Sequence, residues 1–286
     1  MRMRPKTTRT AVAVLTAVLL AGGATACGDK KADGKAADKA GGDRPVVTKV
    51  EPAAYLQKVQ KNSVDLTSMR YRMSGSSAGQ KIEGEASVRL KPTVAMTMKM
   101  SNPAKAGENI DIRLIDGIMY LGSEGKFLKV DLKTADPNAA KQLDALGNGG
   151  GQQAENPGER ANQLQSAKDV KVVGEETVEG KKTTHLSGTV TTEEMRASLA
   201  TATPEQKESR EKSLKQLESQ GIKSLAMDMW IGEDSRPVQV RTRGEGAQGP
   251  VDLTIKFLDF NQPVDVTTPP ADQVVDLSEL AKAQGA

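Results

Sequence analysis

The chain of 286 residues holds one cysteine, Cys27, and one histidine, His185, so the side chains that most often carry chemistry are scarce. With one of each, the chain cannot form an internal disulfide or a zinc site built from cysteine and histidine ligands. His185 lies on an alternating segment, and no serine and carboxylate that converge on it can be identified from the sequence. We therefore expect no catalytic residues, no bound metal and no cofactor.

Cys27 follows a sequence typical of an export signal. Four Lys and Arg side chains lie in the first ten residues, and an apolar stretch that ends in small residues follows them. This arrangement predicts a secretory signal peptide over residues 1–26, with an apolar stretch too short for a good membrane-spanning helix. Ala24-Thr25-Ala26-Cys27 resembles a bacterial lipobox, in which a diacylglycerol is joined to the cysteine thiol. The alternative is an ordinary secretory signal with an unrelated cysteine beside the cut.

The formal net charge of +3 depends on the signal peptide. Residues 1–26 hold four cations and no Asp or Glu, so their removal changes the formal charge to −1. A mature chain without net positive charge gives no support for nucleic-acid binding through phosphate contacts. The seven aromatic side chains are also too few for a platform on which bases or sugar rings stack.

Residues 27–50 follow the signal peptide and are rich in Gly, Ala, Lys and Asp. Such a stretch has too few apolar side chains to form a core. As a random coil it would hold the rest of the chain about 25–30 Å from a membrane anchor. We therefore predict a signal peptide at 1–26, a lipidated cysteine with a disordered tether at 27–50, and one ligand-binding domain at 51–286.

Most of that domain has the period-two alternation of half-buried antiparallel strands. In the first such segment, Met69, Tyr71 and Met73 alternate with Arg70 and Arg72. We count about ten strands, and Asp-Gly or Glu-Gly dipeptides separate several of them. The other predicted strand segments lie at 82–90, 94–101, 110–114, 118–121, 127–130, 170–178, 183–190, 225–231, 238–241 and 251–257.

Helices are predicted between the groups of strands. Apolar residues at helical spacing predict a helix over 52–63 and a short one over 139–146. Capping-box spacing after Thr191 and after Thr203 predicts two more, of which the second, 204–220, is very polar. Because no strand-helix-strand unit repeats, the predicted class is α+β with an antiparallel sheet.

Methionine is frequent in the predicted strands, although strands do not favour it. Its flexible thioether fills irregular spaces, which suits a sheet face that accepts acyl chains or several ligands. The alternative is that these side chains fill an ordinary core that is short of aromatic residues. Periodicity does not separate the two interpretations. The residues are Met69, Met73, Met96, Met98, Met100, Met119, Met227 and Met229.

Several elements together resemble a known family. In order and spacing they are similar to actinobacterial lipoproteins of the LppX/LprAFG type, in the LolA-like superfamily. The resemblance implies a strongly curved antiparallel sheet, a half-barrel, with helices on its concave side and an apolar cavity between them. It also implies binding or transport of lipids or lipidated glycans at the outer face of the cytoplasmic membrane. The elements are the lipobox, the tether, Asp116-Gly117-Ile118-Met119-Tyr120, the hairpins 178–188 and 229–238, and Phe257–Phe260 followed by Pro269-Pro270.

The leading hypothesis is a non-catalytic lipoprotein, anchored to the membrane through Cys27, that binds a lipid or another amphiphilic ligand on the concave sheet face. The second hypothesis is a structural or sensory module of the cell envelope, with a filled core and a protein partner bound by the polar helix 204–220. The residues predicted to line the ligand cavity are Met96, Met98, Met100, Ile112, Leu114, Met227, Met229, Leu253, Ile255 and Phe257.

Overall fold

The computed structural model describes residues 51–102, 105, 107–132 and 156–276. The predicted signal peptide, Cys27, the tether and the predicted helix at 139–146 lie outside the described residues. None of the helices in the described part is both long and apolar enough to cross a membrane.

Twelve strands of the described residues form one sheet. In chain order they are β1 (Ser68–Ser77), β2 (Gln80–Arg89), β3 (Ala95–Ser101), β4 (Asn109–Ile115), β5 (Ile118–Ser123), β6 (Lys126–Asp131), β7 (Lys171–Val178), β8 (Lys181–Thr191), β9 (Ser224–Gly232), β10 (Pro237–Gly246), β11 (Gly249–Phe260) and β12 (Val274–Asp276). Across the sheet the order is β12-β6-β5-β4-β3-β2-β1-β11-β10-β9-β8-β7. All neighbours are antiparallel except β12 and β6, which are parallel.

The sheet is curved. It is also open, because its edge strands β12 and β7 do not pair with each other. Its centre is a long-range pairing in which Tyr71 of β1 lies opposite Phe257 of β11. This pairing joins two series of antiparallel strands that are consecutive in sequence, β1 to β6 and β7 to β11. The predicted class, α+β with a large antiparallel sheet, is confirmed.

Tight turns set the register within each series. Asp116 and Gly117 have φ angles of 52° and 87°, and Glu179 and Gly180 have 50° and 74°. Positive φ at both central residues is the turn geometry whose twist matches that of two antiparallel strands. These predicted turn dipeptides connect β4 to β5 and β7 to β8.

The helices are α1 (Pro52–Val64), α2 (Pro157–Gln165), α3 (Thr192–Ser198) and α4 (Pro204–Ser219). The predicted capping boxes are present at Thr191 and Thr203. Helix α2 was not predicted. It begins after Asn156, whose side chain accepts hydrogen bonds from the backbone N–H groups of Gly158 and Glu159. This cap satisfies donors that the first helical turn leaves without partners.

Helices α1 and α2 cover one face of the sheet, which we call the inner face. Leu56 and Val59 of α1 and Leu164 of α2 are fully buried in the same core cluster as Tyr71 and Leu186 of the sheet. Burial of this apolar surface stabilises the fold by about 25 cal/mol per Å². The opposite, polar face is called the outer face.

Five of the eight strand methionines belong to this core. Met227 and Met229 have no exposed surface, and Met69, Met73 and Met96 are buried as well. The other three are half-buried on the strands β3 and β5. Thioether side chains thus supply core volume that aromatic residues supply in other proteins.

Candidate ligand cavity

A cavity of about 370 Å³ lies between the inner face of the sheet and the helices α2, α3 and α4. This volume falls in the range of about 300–1,000 Å³ that is usual for sites that hold a small molecule. Its floor consists of strand residues, which are mostly apolar: Ser77, Ile82, Leu225, Thr242, Val251 and Leu253.

The cavity exists because small residues flank the centre of its floor. Leu253 lies between Gly75 of β1 and Thr242 of β10, and Val251 lies opposite Gly244. Side chains at these positions would point to the inner face, as Leu253 and Val251 do. Because the neighbouring residues are glycine, serine or threonine, the sheet does not fill the space above the two apolar side chains.

Glycine is required at one of these positions. Gly75 has a φ angle of 151°, which other residues rarely adopt. A Cβ atom there would lie 2.0 Å from the carbonyl oxygen of Asp252. The close approach of β1 and β11 therefore excludes a larger residue beside the cavity floor.

Helix α4 forms one wall of the cavity through a single stripe of residues. Arg210, Leu214 and Leu217 line the cavity and are spaced four and three residues apart, which places them on one side of the helix. Leu214 is buried, and Met195 of α3 lies on the same wall. The predicted polar helix is therefore amphipathic, because its two leucines lie on the side that faces the cavity.

The helical side of the cavity carries charge. Arg210 of α4 donates to both carboxylate oxygens of Glu159 of α2, with its Nη2 atom 2.9 Å from Oε2 and 3.1 Å from Oε1. Both side chains are about one-sixth exposed, and Gln206 donates to the same carboxylate at 3.3 Å. Arg160, next to Glu159, also lines the cavity. An apolar floor therefore faces a charged wall.

A second concavity, of about 420 Å³, lies at the other end of β11, beside Phe260. Four exposed charged residues, Lys181, Lys182, Glu233 and Asp234, contribute to its lining. A surface of this kind holds an apolar chain poorly, since little apolar area can be removed from water there. The cavity beneath α4 is therefore the better candidate for an amphiphilic ligand.

The structure brings all ten residues that were predicted to line the cavity to the inner face. Leu253 borders the 370 Å³ cavity, and the other nine do not. Met227, Met229, Ile255 and Phe257 are at most 4% exposed and lie in the core. The other five predicted residues lie on β3 and β4 and are buried or half-buried. Met96 lies opposite Leu114, Met98 lies opposite Ile112, and Met100 is the next inner residue of β3.

Sequence reasoning missed the part of the cavity wall that α2 supplies. Glu159 and Arg160 lie on α2, which was not predicted, although Asn156-Pro157 followed by apolar residues at Ala161 and Leu164 is a signal for a capped helix. The small residues at inward positions of β1 and β10 were a second signal, because they leave space on a sheet face.

The segment Gly75-Ser76-Ser77-Ala78-Gly79 has the Gly-x-Ser-x-Gly spacing of a nucleophile elbow. In hydrolases this motif joins a strand to a helix. Here it joins β1 to β2 in a hairpin, and Ser77 lies on the inner face, whereas His185 lies on the outer face. The two residues therefore cannot act on one substrate.

His185 belongs to a polar cluster on the outer face of β7 to β10. Its Nδ1 atom lies 2.7 Å from a Glu176 oxygen, and its Nε2 atom lies 2.9 Å from an Asp228 oxygen. Trp230 stacks on the imidazole with ring centres 4.3 Å apart and donates to Glu176 at 2.8 Å. Arg243 donates to Asp228 at 2.6 Å. Both ring nitrogens of His185 contact a carboxylate. Because the members of the cluster come from β7, β8, β9 and β10, their contacts join four strands.

Two carboxylates of this cluster have shifted pKa values. Hydrogen bonds from Trp230 and His185 hold the pKa of Glu176 below its ordinary value. Burial by itself raises the pKa of Asp228, but hydrogen bonds from His185, Ser187 and Arg243 outweigh it, so the net pKa is lowered. A lowered pKa in the folded state means that the unfolded chain binds more protons in acid, so stability falls as the pH decreases.

Replacing Asp228 with asparagine is expected to lower the free energy of unfolding at pH 7 by about 1–3 kcal/mol, since Arg243 and His185 lose a buried charged acceptor. The contribution of Asp228 is fully present above about pH 4 and is lost as the pH falls through its lowered folded-state pKa. Thermal unfolding between pH 3 and 7, followed by the fluorescence of the single tryptophan, should therefore show a shallower acid dependence for D228N than for wild type.

Glu85 provides the matched control for this experiment. Its ion pair with Arg72 is more than half exposed, so E85Q is expected to change stability by less than about 1 kcal/mol. An acid dependence in D228N as steep as that of wild type would contradict the assignment of Asp228.

Among the described residues, no group of three or more His, Cys, Asp or Glu side chains is arranged to hold a metal ion. The candidate site is the cavity beneath α4, whose contacts would be apolar burial and charged hydrogen bonds.

No protein-family model matches the sequence. The chain is 32% identical over 123 residues to an uncharacterized 31.2 kDa protein of Streptomyces griseus, a match that covers 43% of this chain and 39% of that protein. It is 28% identical over 151 residues to a Streptomyces coelicolor protein named "Putative lipoprotein", a match that covers 51% of this chain and 43% of that protein. The chain thus spans less than half the length of these curated relatives.

The open, curved antiparallel sheet with helices on one face is a known fold. It is similar to that of LprF from Mycobacterium bovis, with a TM-score of 0.51 and 16% identity over 77% of this chain and 97% of that chain. The comparison with LppX from Mycobacterium tuberculosis gives a TM-score of 0.48 and 14% identity, over 76% of this chain and 98% of that chain. The chain has the fold of LprF, and the fold implied by the resemblance to the LppX/LprAFG type is confirmed.

Proposed function

We propose that this protein is a non-catalytic lipoprotein that binds a lipid or another amphiphilic ligand in the cavity between α2, α4 and the sheet. The observation that carries the proposal is the cavity itself, whose floor is mostly apolar and whose helical wall is charged. An acyl chain on the floor would gain about 0.8 kcal/mol for each buried methylene group. The fold of LprF and the name of the Streptomyces coelicolor relative support the same class.

We further propose that Cys27 carries the lipid anchor and that residues 27–50 are the tether to the ligand-binding domain that begins at residue 51. In this arrangement the domain lies at the outer face of the cytoplasmic membrane, about 25–30 Å from its anchor. The envelope location is supported by the lipoprotein name of the relative. A ligand would then be taken from the membrane surface.

Purification without detergent tests the ligand proposal. The chain from residue 28 onward, secreted by an actinobacterial host, is expected to carry a bound lipid that native mass spectrometry detects and organic extraction releases. The delipidated protein should then take up a labelled lipid from vesicles. A protein that is empty after purification and takes up none from vesicles would contradict the proposal.

A second candidate function, an envelope module with a protein partner, is favoured by one observation. Nine of the ten residues predicted to line a cavity do not border it, and four of them are core residues with almost no exposed surface. In that case the partner would bind the outward side of α4, where Lys207 is exposed and Glu211 is partly exposed. An empty protein that binds an envelope protein through α4 would support this candidate.

A further inference from the structure

Thr242 on β10 is a buried residue whose hydroxyl group has no partner in the described part of the protein. Four Ser, Thr or Asp residues of this part are buried: Ser68, Thr183, Asp228 and Thr242. The side chains of Ser68, Thr183 and Asp228 all have hydrogen-bond partners in the protein. Thr242 is only 7% exposed and makes no side-chain hydrogen bond to any described residue. Because a buried polar group without a partner costs free energy, proteins rarely retain one unless something else binds it.

The hydroxyl group of Thr242 belongs to the floor of the cavity. Thr242 lines the cavity, and it lies between Leu253 of β11 and Met227 of β9 on the inner face. These flanking side chains have no oxygen or nitrogen atom that could pair with a hydroxyl group. The hydroxyl oxygen is not sealed in the core, so the cavity is the space in which it can find a partner. A polar contact point therefore lies within the apolar part of the floor.

A plain alkyl chain would fit this position poorly. It would cover Thr242, remove water from the hydroxyl group and supply no hydrogen bond in return, which is unfavourable. An oxygen atom on the chain would restore the bond. Because a threonine hydroxyl both donates and accepts, it fits a hydroxyl group as well as a keto group. The same oxygen atom would have no partner beside Leu225 or Val251, which also line the floor.

We propose that Thr242 binds an oxygen atom carried by the chain of the ligand, so that the cavity prefers amphiphiles whose acyl chain bears a hydroxyl or keto group. This inference rests on the function proposed above. Apolar burial supplies affinity along the floor, and one directed hydrogen bond determines which chains fit. A site that can bind a hydroxyl group discriminates against the analogue without it, because its own buried polar group is then left unpaired.

Four ligands with the same head group and chain length test this inference: decanoate, 3-hydroxydecanoate, 5-hydroxydecanoate and 10-hydroxydecanoate. Isothermal titration of the delipidated chain from residue 28 onward at pH 7 is expected to show about tenfold tighter binding of at least one hydroxydecanoate than of decanoate. T242V replaces the hydroxyl group with a methyl group of similar size, so it should lose this preference and bind decanoate at least as tightly as wild type does. T254V, on the outer face of β11, should retain the preference.

Thermal unfolding without ligand separates this role from a structural one. T242V should unfold at the temperature of wild type or above it, because the lost hydroxyl group has no partner within the described protein. T183V should unfold at a lower temperature, since Thr183 donates to the backbone oxygen of Glu176 at 2.8 Å. Equal affinity of wild type for decanoate and all three analogues, a preference that persists in T242V, or a destabilised T242V would overturn the inference. Absence of binding for every ligand would contradict the proposed function as well.

Discussion

Replacing Leu253 with tryptophan is expected to weaken ligand binding at least a hundredfold without unfolding the protein. Leu253 is the predicted site residue that borders the cavity, and its side chain lies at the centre of the floor. A larger indole would exclude several methylene groups of an acyl chain, and four of them account for about 3 kcal/mol. Because a hundredfold change corresponds to about 2.8 kcal/mol, the expected loss matches the excluded contacts.

The measurement for L253W is the amount of co-purified lipid together with the affinity for decanoate. The indole enters existing space, so the thermal unfolding temperature should remain close to that of wild type, in contrast to an insertion into a packed core. Thr254 offers a matched control on the same strand, since its side chain points to the outer face. T254W should bind as wild type does. Unchanged binding in L253W would show that ligand is held elsewhere on the sheet.

The strands were predictable because their pattern is local. Met69, Tyr71 and Met73 alternate with arginines, and all three are buried on β1 while the arginines remain exposed. The dipeptides Asp116-Gly117 and Glu179-Gly180 have the backbone angles that short hairpins need. Such signals depend on a few neighbouring residues, and sequence reasoning is effective at that range.

The arrangement of the strands was beyond local reasoning. The pairing of β1 with β11 joins residues such as Tyr71 and Phe257 across most of the domain. The parallel contact of Val275 with Leu128 brings the short strand β12 to an edge of the sheet. Neither contact has a signal within a short window, because each joins strands that are far apart in sequence.

The position of the cavity on the inner face could not be predicted for a related reason. Gly75 and Thr242 are far apart in sequence, yet together they leave space above Leu253 that the neighbouring strands do not fill. Leu214 and Leu217 are two apolar residues on an otherwise polar helix, and they acquire a role only because α4 lies over the sheet. The methionine pattern correctly indicated the inner face, but most of that face is filled by the same methionines and their neighbours.

Replacing Cys27 with alanine is expected to remove the membrane anchor almost completely and to leave the domain folded. A diacylglycerol supplies two acyl chains, and two chains give stable anchoring where one gives only marginal binding. The predicted polar tether separates the cysteine from the folded domain, so the loss of lipid should not change ligand affinity or the thermal unfolding temperature. Labelling with an alkyne-tagged fatty acid measures whether the lipid is attached, and phase separation in detergent measures whether the protein is still anchored.

Wild type is expected to incorporate the label and to enter the detergent phase, whereas C27A should do neither. A36S, a change of similar size within the tether, controls for effects of mutation on export and should behave as wild type. Labelled C27A, or C27A that enters the detergent phase after its signal peptide has been removed, would contradict the anchor. Loss of the label together with loss of co-purified lipid would have a different meaning: the domain would then take its ligand only while it is held at the membrane, since the cavity residues remain unchanged.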